Sequence, residues 1–131
     1  LTTTKAALRP MARAVLEIME EERLPERAVE IGRRVTERFT VMQQRFAVIG
    51  DVRGLGAMVG MELVEDRDTK KPATALTKAY RVKLFENGLI NVIAGTYDNV
   101  VRTLMPLTIE WETLERGLDI MEETLAQVTS S

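Results

Sequence analysis

The chain has 131 residues, of which 18 are basic and 20 acidic, and its net charge is -2. This length fits one domain with its own core, and the balanced charge gives no basic patch for nucleic acid. The absence of Cys and His excludes disulfides, thiolate nucleophiles, zinc fingers and Ser-His triads, so that carboxylates, lysines, tyrosines and arginines remain for chemistry.

The sequence gives no sign of membrane insertion or export. No apolar run approaches the about 20 residues of a membrane span. The first residues also lack the charged-then-apolar layout of a signal peptide. We therefore expect a cytoplasmic protein with no membrane contact.

The first helix is predicted over residues 6–22, where apolar residues recur at steps of three and four. Residues 1–5 show no periodicity and are expected to be frayed. Pro10 should lie in the first turn, where a missing backbone N–H costs no hydrogen bond. The acidic run at residues 20–22 opposes the helix dipole and predicts the end of the helix.

A second helix is predicted over about residues 25–46, with proline at its first position. Two pairs with a spacing of four, Glu30 with Arg34 and Arg33 with Glu37, are expected on its outer face. The period of the apolar residues predicts a buried stripe on the other face. The stripe consists of Ala28, Ile31, Val35, Phe39, Met42 and Phe46.

Two strands joined by a glycine-rich bend are predicted over residues 48–64. The Gly54-Leu55-Gly56 sequence could suggest a nucleotide-binding loop, but such a loop must be followed by a helix. Here it is followed by period-two alternation, which is typical of a strand. Arg53 beside the bend could bind an anion, although a lone arginine is more often part of a structural ion pair.

A polar turn at residues 66–71 is expected to lead into a third helix that begins at Pro72 and ends at Asn87-Gly88. Residues 89–94 form a continuous apolar run, which indicates a strand buried on both faces. The inward residues of the helix are predicted to be Leu76, Ala79, Tyr80 and Leu84.

Residues 95–106 run from a polar loop into a short apolar strand that contains one arginine, Arg102. Because side chains alternate along a strand, Arg102 should share a face with Val100 and Leu104. A guanidinium in apolar surroundings needs an anionic partner, and its planar fork of donors suits a carboxylate. The residues alone leave open a carboxylate-binding site, a structural ion pair, or an arginine that snorkels off an edge strand.

The last helix is predicted over residues 110–128, with a disordered end at residues 129–131. The order α-α-β-β-α-β-β-α describes an α/β fold of the α+β sandwich kind, with short strands covered by helices. The chain has no repeat or linker, so residues 1–131 are expected to form a single domain. The inward stripe of the last helix is predicted to be Trp111, Leu114, Leu118, Met121, Leu125 and Val128.

Several groups of residues occur in an order and spacing that are specific to one family. They are Ala14-Val15-Leu16-Glu17-Ile18 with Leu24-Pro25-Glu26-Arg27-Ala28, then residues 50–60, then Gly88-Leu89-Ile90 followed by residues 95–102 and 106–109. Over about residues 12–128 the chain resembles the C-terminal small domain of the class III aminotransferases, which are pyridoxal-phosphate enzymes. Asn99-Val100-Val101-Arg102 ahead of Pro106-Leu107-Thr108 is most similar to the 4-aminobutyrate aminotransferase branch.

The resemblance implies the small domain of the fold type I architecture, with a short, mostly antiparallel sheet. It also implies that Arg102 binds the substrate carboxylate, and that no catalytic, cofactor-binding or metal-binding residue lies in this chain. The Schiff-base lysine of the family belongs to a large domain upstream. The lysines here that lie in no matching context are Lys5, Lys70, Lys71, Lys78 and Lys83.

The resemblance therefore implies a fragment of a homodimeric transaminase that uses pyridoxal phosphate. The full-length parent would transfer an amino group from 4-aminobutyrate, or a related ω-amino acid, to 2-oxoglutarate. The fragment alone would be inactive, and in the parent it would contact the large domain, close the cleft and hold the carboxylate of amino acid and 2-oxo acid substrates. The alternative is a stand-alone, non-catalytic α/β module, and the sequence leaves the amino donor open between 4-aminobutyrate and an ornithine-like compound.

Overall fold

Four helices and five strands are present in the computed structural model, which describes residues 2–130 and the side chains from residue 8 onward. The predicted order of elements is confirmed, with the two-residue strand β3 as an addition. In chain order the elements are α1 (Thr2–Glu21), α2 (Leu24–Arg45), β1 (Ile49–Leu55), β2 (Met58–Asp66), β3 (Lys71–Pro72), α3 (Thr74–Glu86), β4 (Val92–Ala94), β5 (Val100–Arg102) and α4 (Trp111–Thr129).

The strands form an antiparallel sheet in the order β1-β2-β5-β4, and β3 pairs with β2 beside this path. Val59, Met61 and Leu63 alternate along β2 and are buried, as is Val101 of β5. These side chains join buried residues of α2, α3 and α4 in one core. Helices α2, α3 and α4 therefore cover one face of the sheet, and the predicted α/β fold is confirmed.

The hairpin of β1 and β2 packs very closely against α2. Leu55 pairs with Met58, and Gly56 in the turn between them has a positive φ of 54°. The chain thus turns back into a strand, and the rejection of a nucleotide-binding loop is confirmed. A Cβ atom at Gly32 of α2 would lie 2.0 Å from the Gly56 carbonyl oxygen, so this crossing requires a glycine in the helix.

A row of arginines joins α2 to α4. Two guanidinium groups contact the Trp111 ring, with Arg27 at 3.5 Å and Arg34 at 4.2 Å from the ring centroid. Cation–π contacts of this kind stabilise a fold when they are partly shielded from water. The ion pairs along the same interface are Arg34–Glu115, Arg38–Asp119, Arg38–Glu122 and Arg45–Glu122.

The predicted stripes of α2 and α4 are confirmed, although the residues at both ends of each stripe are only half-buried. Of the two pairs expected on α2, Arg33 with Glu37 is confirmed at 2.8 Å. The pair of Glu30 with Arg34 is wrong. Arg34 instead reaches Glu115 on α4 at 2.7 Å, a partner that the spacing along one helix does not reveal.

Both ends of the chain are helical where the sequence predicts none. Helix α1 begins at Thr2 and α4 continues to Thr129. Ser130 then donates its hydroxyl and its N–H to a carbonyl of the last turn, at 2.7 and 3.1 Å, which satisfies an acceptor that would otherwise face water. Leu1 and Ser131 lie outside the described residues.

Pro10 lies inside α1 instead of in its first turn. The helix continues through the proline because strong helix formers such as Ala7 and Met11 flank it, at the cost of one backbone hydrogen bond. The end of the helix at Glu21 confirms the effect predicted for the acidic run.

Two predictions for the third helix are wrong. Pro72 belongs to β3, which pairs with β2 on one side only, and such an edge strand tolerates a proline. Ala79 is exposed, and Thr77 is buried on the inward face with Tyr80 and Leu84. The buried Thr77 hydroxyl donates to the Ala73 carbonyl at 2.9 Å, so its polar group is satisfied.

Residues 89–94 are not a strand buried on both faces. Only Val92–Ala94 forms β4, which lies at the edge of the sheet, and Ile90 is 85% exposed. An apolar run alone does not distinguish a central strand from an open edge. The predicted helix end at Asn87-Gly88 is confirmed, since Gly88 has the positive φ of 88° that is common after a last turn.

Helix α1 leaves an apolar surface open to solvent. Its exposed apolar side chains, of which Met11 at 65% is the most exposed, are Leu8, Met11, Val15, Leu16, Ile18 and Met19. None of the helices within residues 2–130 is long and apolar enough to cross a membrane.

We expect Gly32→Ala to destabilise the chain by about 2–4 kcal/mol, because the new methyl group must push α2 away from the β1–β2 turn. The gain in helix propensity, about 1 kcal/mol, is too small to offset this. Urea denaturation followed by circular dichroism measures the change. Thr36→Ala, at an exposed position on the same helix, is the control and should shift stability by less than about 0.5 kcal/mol. A Gly32→Ala chain as stable as the parent chain would contradict the close crossing.

Candidate functional site

Arg102 is the last residue of β5, which lies between β2 and β4. It pairs with Gly60 on one side and with Val92 on the other. The interpretation as an arginine on an edge strand is therefore wrong. The strand ends here, within the predicted segment 95–106, and the last hydrogen bond to β2 comes from the Thr103 N–H to the Val59 carbonyl at 2.9 Å.

The face on which Arg102 lies is the predicted one. Val101 and Thr103 are buried on the helix side of the sheet, while Leu104 is 63% exposed. Arg102 therefore belongs with Val100 to the face that the helices leave open. This alternation confirms the prediction that Arg102 and Val100 share one face.

Arg102 lines a cavity of about 390 Å³ at the edge of the sheet. The Nε atom of Arg102 is buried and has no hydrogen-bond partner. No Asp or Glu among residues 8–130 forms an ion pair with Arg102, so a structural ion pair is not found in the described part of the chain. The cavity is lined by residues 88–92, residues 102–105, Ile109, and α4 residues such as Thr113, Arg116 and Gly117.

Asn91 is a site residue that sequence reasoning missed. It lines the same cavity, and both its Nδ2 and Oδ1 atoms are buried without a partner. Buried amide groups normally have at least one hydrogen bond, so an unpaired one next to a cavity is unusual. The sequence does show a single asparagine within the apolar run 89–94, but the interpretation of the run as uniformly apolar does not consider it.

The polar loop before β5 is tied to the rest of the fold. Gly95 and Asp98 have positive φ angles of 84° and 53°, which turn the chain between β4 and β5. The Thr74 hydroxyl donates to the Tyr97 carbonyl at 2.6 Å. At the end of the loop, the buried Asn99 side chain donates to the Leu63 carbonyl at 3.0 Å. These contacts fix the point at which β5 begins.

Arg53 forms a structural ion pair on the open face of the sheet. Its Nη1 atom lies 2.6 Å from Asp51 Oδ2 and 2.6 Å from Glu62 Oε2. The hydrogen bonds to Asp51 and Glu62, in this order of importance, raise the pKa of Arg53, so the group stays charged. Of the two interpretations that the sequence left open, the structural one is confirmed.

The model of the family described as aminotransferase class III matches residues 7–125. The chain is 49% identical over 112 residues to the 5-aminovalerate aminotransferase DavT of Pseudomonas aeruginosa, which covers 86% of this chain and 26% of that protein. It is 42% identical over 114 residues to a probable 4-aminobutyrate aminotransferase of Bacillus subtilis, with coverages of 87% and 26%. A leucine/methionine racemase of Thermococcus litoralis is 44% identical over 117 residues, with coverages of 89% and 26%.

Solved structures agree with the sequence relatives. A Bacillus anthracis aminotransferase superposes with a TM-score of 0.79 at 29% identity, over 86% of this chain and 26% of that one. The chain thus spans about a quarter of the length of the proteins that it matches.

The described residues around Arg102 do not fit the covalent attachment of pyridoxal phosphate, the cofactor of the family. The cofactor needs a lysine for its covalent attachment. None of the described residues that line the cavity beside Arg102 is a lysine. Lys71 and Lys83 pair with Glu65 and Glu86 elsewhere. Within the described residues, no cluster of Asp or Glu is suited to hold a metal ion.

We therefore expect the 131-residue chain to bind pyridoxal phosphate without site selectivity. After incubation and borohydride reduction, peptide mapping by mass spectrometry should find low labelling spread over several lysines, because none of the described residues that line the cavity is a lysine positioned for Schiff-base formation. The chain unfolded in urea is the control and should show the same pattern. One lysine labelled stoichiometrically in the folded chain alone would contradict this.

Proposed function

The chain belongs to the class III aminotransferases, and we propose that it is the small domain of a transaminase that uses pyridoxal phosphate. The full enzyme would transfer an amino group from 4-aminobutyrate, or a related ω-amino acid, to 2-oxoglutarate. The names of two relatives that are 49% and 42% identical, a 5-aminovalerate and a probable 4-aminobutyrate aminotransferase, support this choice of donor.

The observation that carries the proposal is the unpaired guanidinium of Arg102 beside a cavity. Both an ω-amino acid and 2-oxoglutarate have a carboxylate apart from the group that reacts. A guanidinium can hold such a carboxylate by two parallel, charge-assisted hydrogen bonds, which fix its orientation as well as its position. Arg102 would thus align each substrate for the reaction.

Residues 1–131 would act as one domain within the larger enzyme. The domain would close one side of the cleft and help to exclude water, since Ile90 and Leu104 are exposed beside the cavity and offer an apolar surface for this. The large domain, with its lysine, would come from the rest of the polypeptide. A homodimeric parent and a cytoplasmic location stay predictions from the sequence.

The test is an assay of the full-length enzyme with 4-aminobutyrate or 5-aminovalerate as donor and 2-oxoglutarate as acceptor. We expect stoichiometric formation of glutamate. Because one relative is named a leucine/methionine racemase, L-leucine alone is the informative second substrate. Racemisation of leucine without formation of glutamate would overturn the proposal, and so would the absence of both activities from a stable full-length protein, which would favour a non-catalytic module.

Arg102→Lys in the full-length enzyme should lower kcat/KM for 2-oxoglutarate by roughly 30- to 1,000-fold, which corresponds to about 2–4 kcal/mol. Lysine keeps the charge but loses the planar two-point contact. The half-reaction with an amine that lacks a carboxylate should change far less. Single-turnover measurements of both half-reactions give this ratio.

The control for this experiment is Arg33→Lys, which alters an exposed ion pair on α2. It should leave the preference among substrates unchanged. If Arg102→Lys lowers the melting temperature while the ratio between the two kinds of substrate stays flat, then Arg102 is a structural residue and its assignment here is wrong.

The isolated 131-residue chain should self-associate through α1, because a domain severed from its partner exposes the surface that the partner would cover. Met11→Glu with Val15→Glu should reduce this association, as measured by sedimentation velocity and by binding of a hydrophobic dye. Arg13→Gln, on the same exposed helix, is the matched control. A monomer that binds no dye would contradict the expectation.

A further inference from the structure

Two arginines and two carboxylates share the open face of the sheet. Residues directly opposite each other on antiparallel strands point to the same face. Arg53 pairs with Gly60, which in turn pairs with Arg102. One row further along the strands, Asp51 pairs with Glu62, which lies opposite Val100. Glu62 of β2 is therefore a diagonal neighbour of both arginines.

Glu62 has two possible cationic partners but contacts one. Diagonal neighbours on adjacent strands are about 7–8 Å apart, which long side chains can span. Glu62 Oε2 lies 2.6 Å from Arg53 Nη1, and its side chain is only 26% exposed. The buried Asn99 side chain approaches the other oxygen, Glu62 Oε1, at 3.5 Å. Arg53 thus holds the carboxylate at the shorter distance from the β1 side of β2, and Asn99 makes a longer contact with it from the β5 side.

Gly60 contributes no side chain between Glu62 and Arg102. The short Val100 side chain fills the space beside it, since a Cβ atom at residue 60 would lie 3.0 Å from Val100 Cγ1. The Nε atom of Arg102 is buried and unpaired. If the contact with Arg53 were lost, Arg102 is the cation that the register of β2 and β5 places diagonally beside Glu62.

We infer that Arg53 is a positioning residue for Arg102: it holds Glu62 away, so that the guanidinium of Arg102 remains free for the substrate carboxylate. This inference rests on the proposed role of Arg102. Without Arg53, Glu62 would turn across Gly60 and occupy the donors of Arg102. A substrate would then have to displace an internal carboxylate, and its affinity would fall although no residue that touches it had changed.

The test is a double-mutant cycle in the full-length enzyme with Arg53→Met, Glu62→Gln and the two combined. Arg53→Met should raise KM for 2-oxoglutarate roughly 10-fold, with kcat within about twofold, because the loss is competition for binding. Glu62→Gln in the Arg53→Met background should restore KM to within about threefold of the parent value, since the competing charge is gone. Arg33→Met, which removes an exposed ion pair with Glu37, is the matched control.

Two results would overturn the inference. One is an Arg53→Met enzyme with an unchanged KM. The other is a raised KM that stays raised when Glu62→Gln is added. Arg53 would then only stabilise the β1–β2 hairpin. Should Arg53→Met not fold, Arg53→Lys decides the matter: a lysine still holds Glu62, so KM should stay within about threefold of the parent value, and a larger rise in a folded variant counts against the inference.

The same set of enzymes separates this inference from the proposed function. If Arg102→Lys leaves the preference for carboxylate substrates unchanged, the role of Arg102 is wrong. If Arg102→Lys impairs these substrates and Arg53→Met does not, only the positioning role of Arg53 is wrong.

Discussion

The hydrogen bonds between Asn99 and Leu63 set the register of β5 against β2, and this register determines which face of the sheet each β5 side chain occupies. The Leu63 N–H donates to the Asn99 carbonyl at 2.7 Å, and the Asn99 side chain donates to the Leu63 carbonyl at 3.0 Å. Both residues are buried, so a lost bond would leave a polar group unpaired in the core. Because side chains alternate, a slip of one residue would turn Arg102 into the core and Val101 out of it. The orientation of Arg102 therefore depends on this contact.

The surroundings of Arg102 differ from the rest of the fold because some buried polar groups there have no hydrogen-bond partner within the described chain. The buried Tyr80 hydroxyl donates to the Met121 carbonyl at 2.7 Å, and burial raises its pKa. The buried Thr103 hydroxyl can donate its one proton to the Ala57 carbonyl at 3.0 Å or to the Val59 carbonyl at 3.1 Å. Asn91 and Arg102 Nε are buried without such partners. Unpaired buried groups cost free energy, and folds keep them mainly at sites that serve another purpose.

The helices could be predicted because their apolar residues repeat with the helical period, and α2 and α4 each bury one such stripe. The predictions fail where contacts between residues that are distant in sequence determine the structure. The apolar run of residues 89–94 predicts a buried strand, yet the part of it that forms β4 lies at an open edge of the sheet. Arg34 has a partner on another helix, and Asn91 is concealed by apolar neighbours. Arg102 stood out because an arginine is unusual in an apolar strand, whereas its lack of a partner is visible only in three dimensions.

Four arginines among residues 8–130 are half-buried, and they provide an internal comparison. Three of them, Arg27, Arg34 and Arg38, bond backbone carbonyls or carboxylates across the α2 interface. The fold thus supplies a partner wherever a half-buried arginine serves packing, and Arg102 is the one that it leaves without a bond inside the described chain. This contrast favours a partner from outside the domain. A carboxylate matches its donors, and the pair strengthens as water leaves, because the effective dielectric constant falls. Closure of a cleft over Arg102 and binding of a carboxylate there would then favour each other.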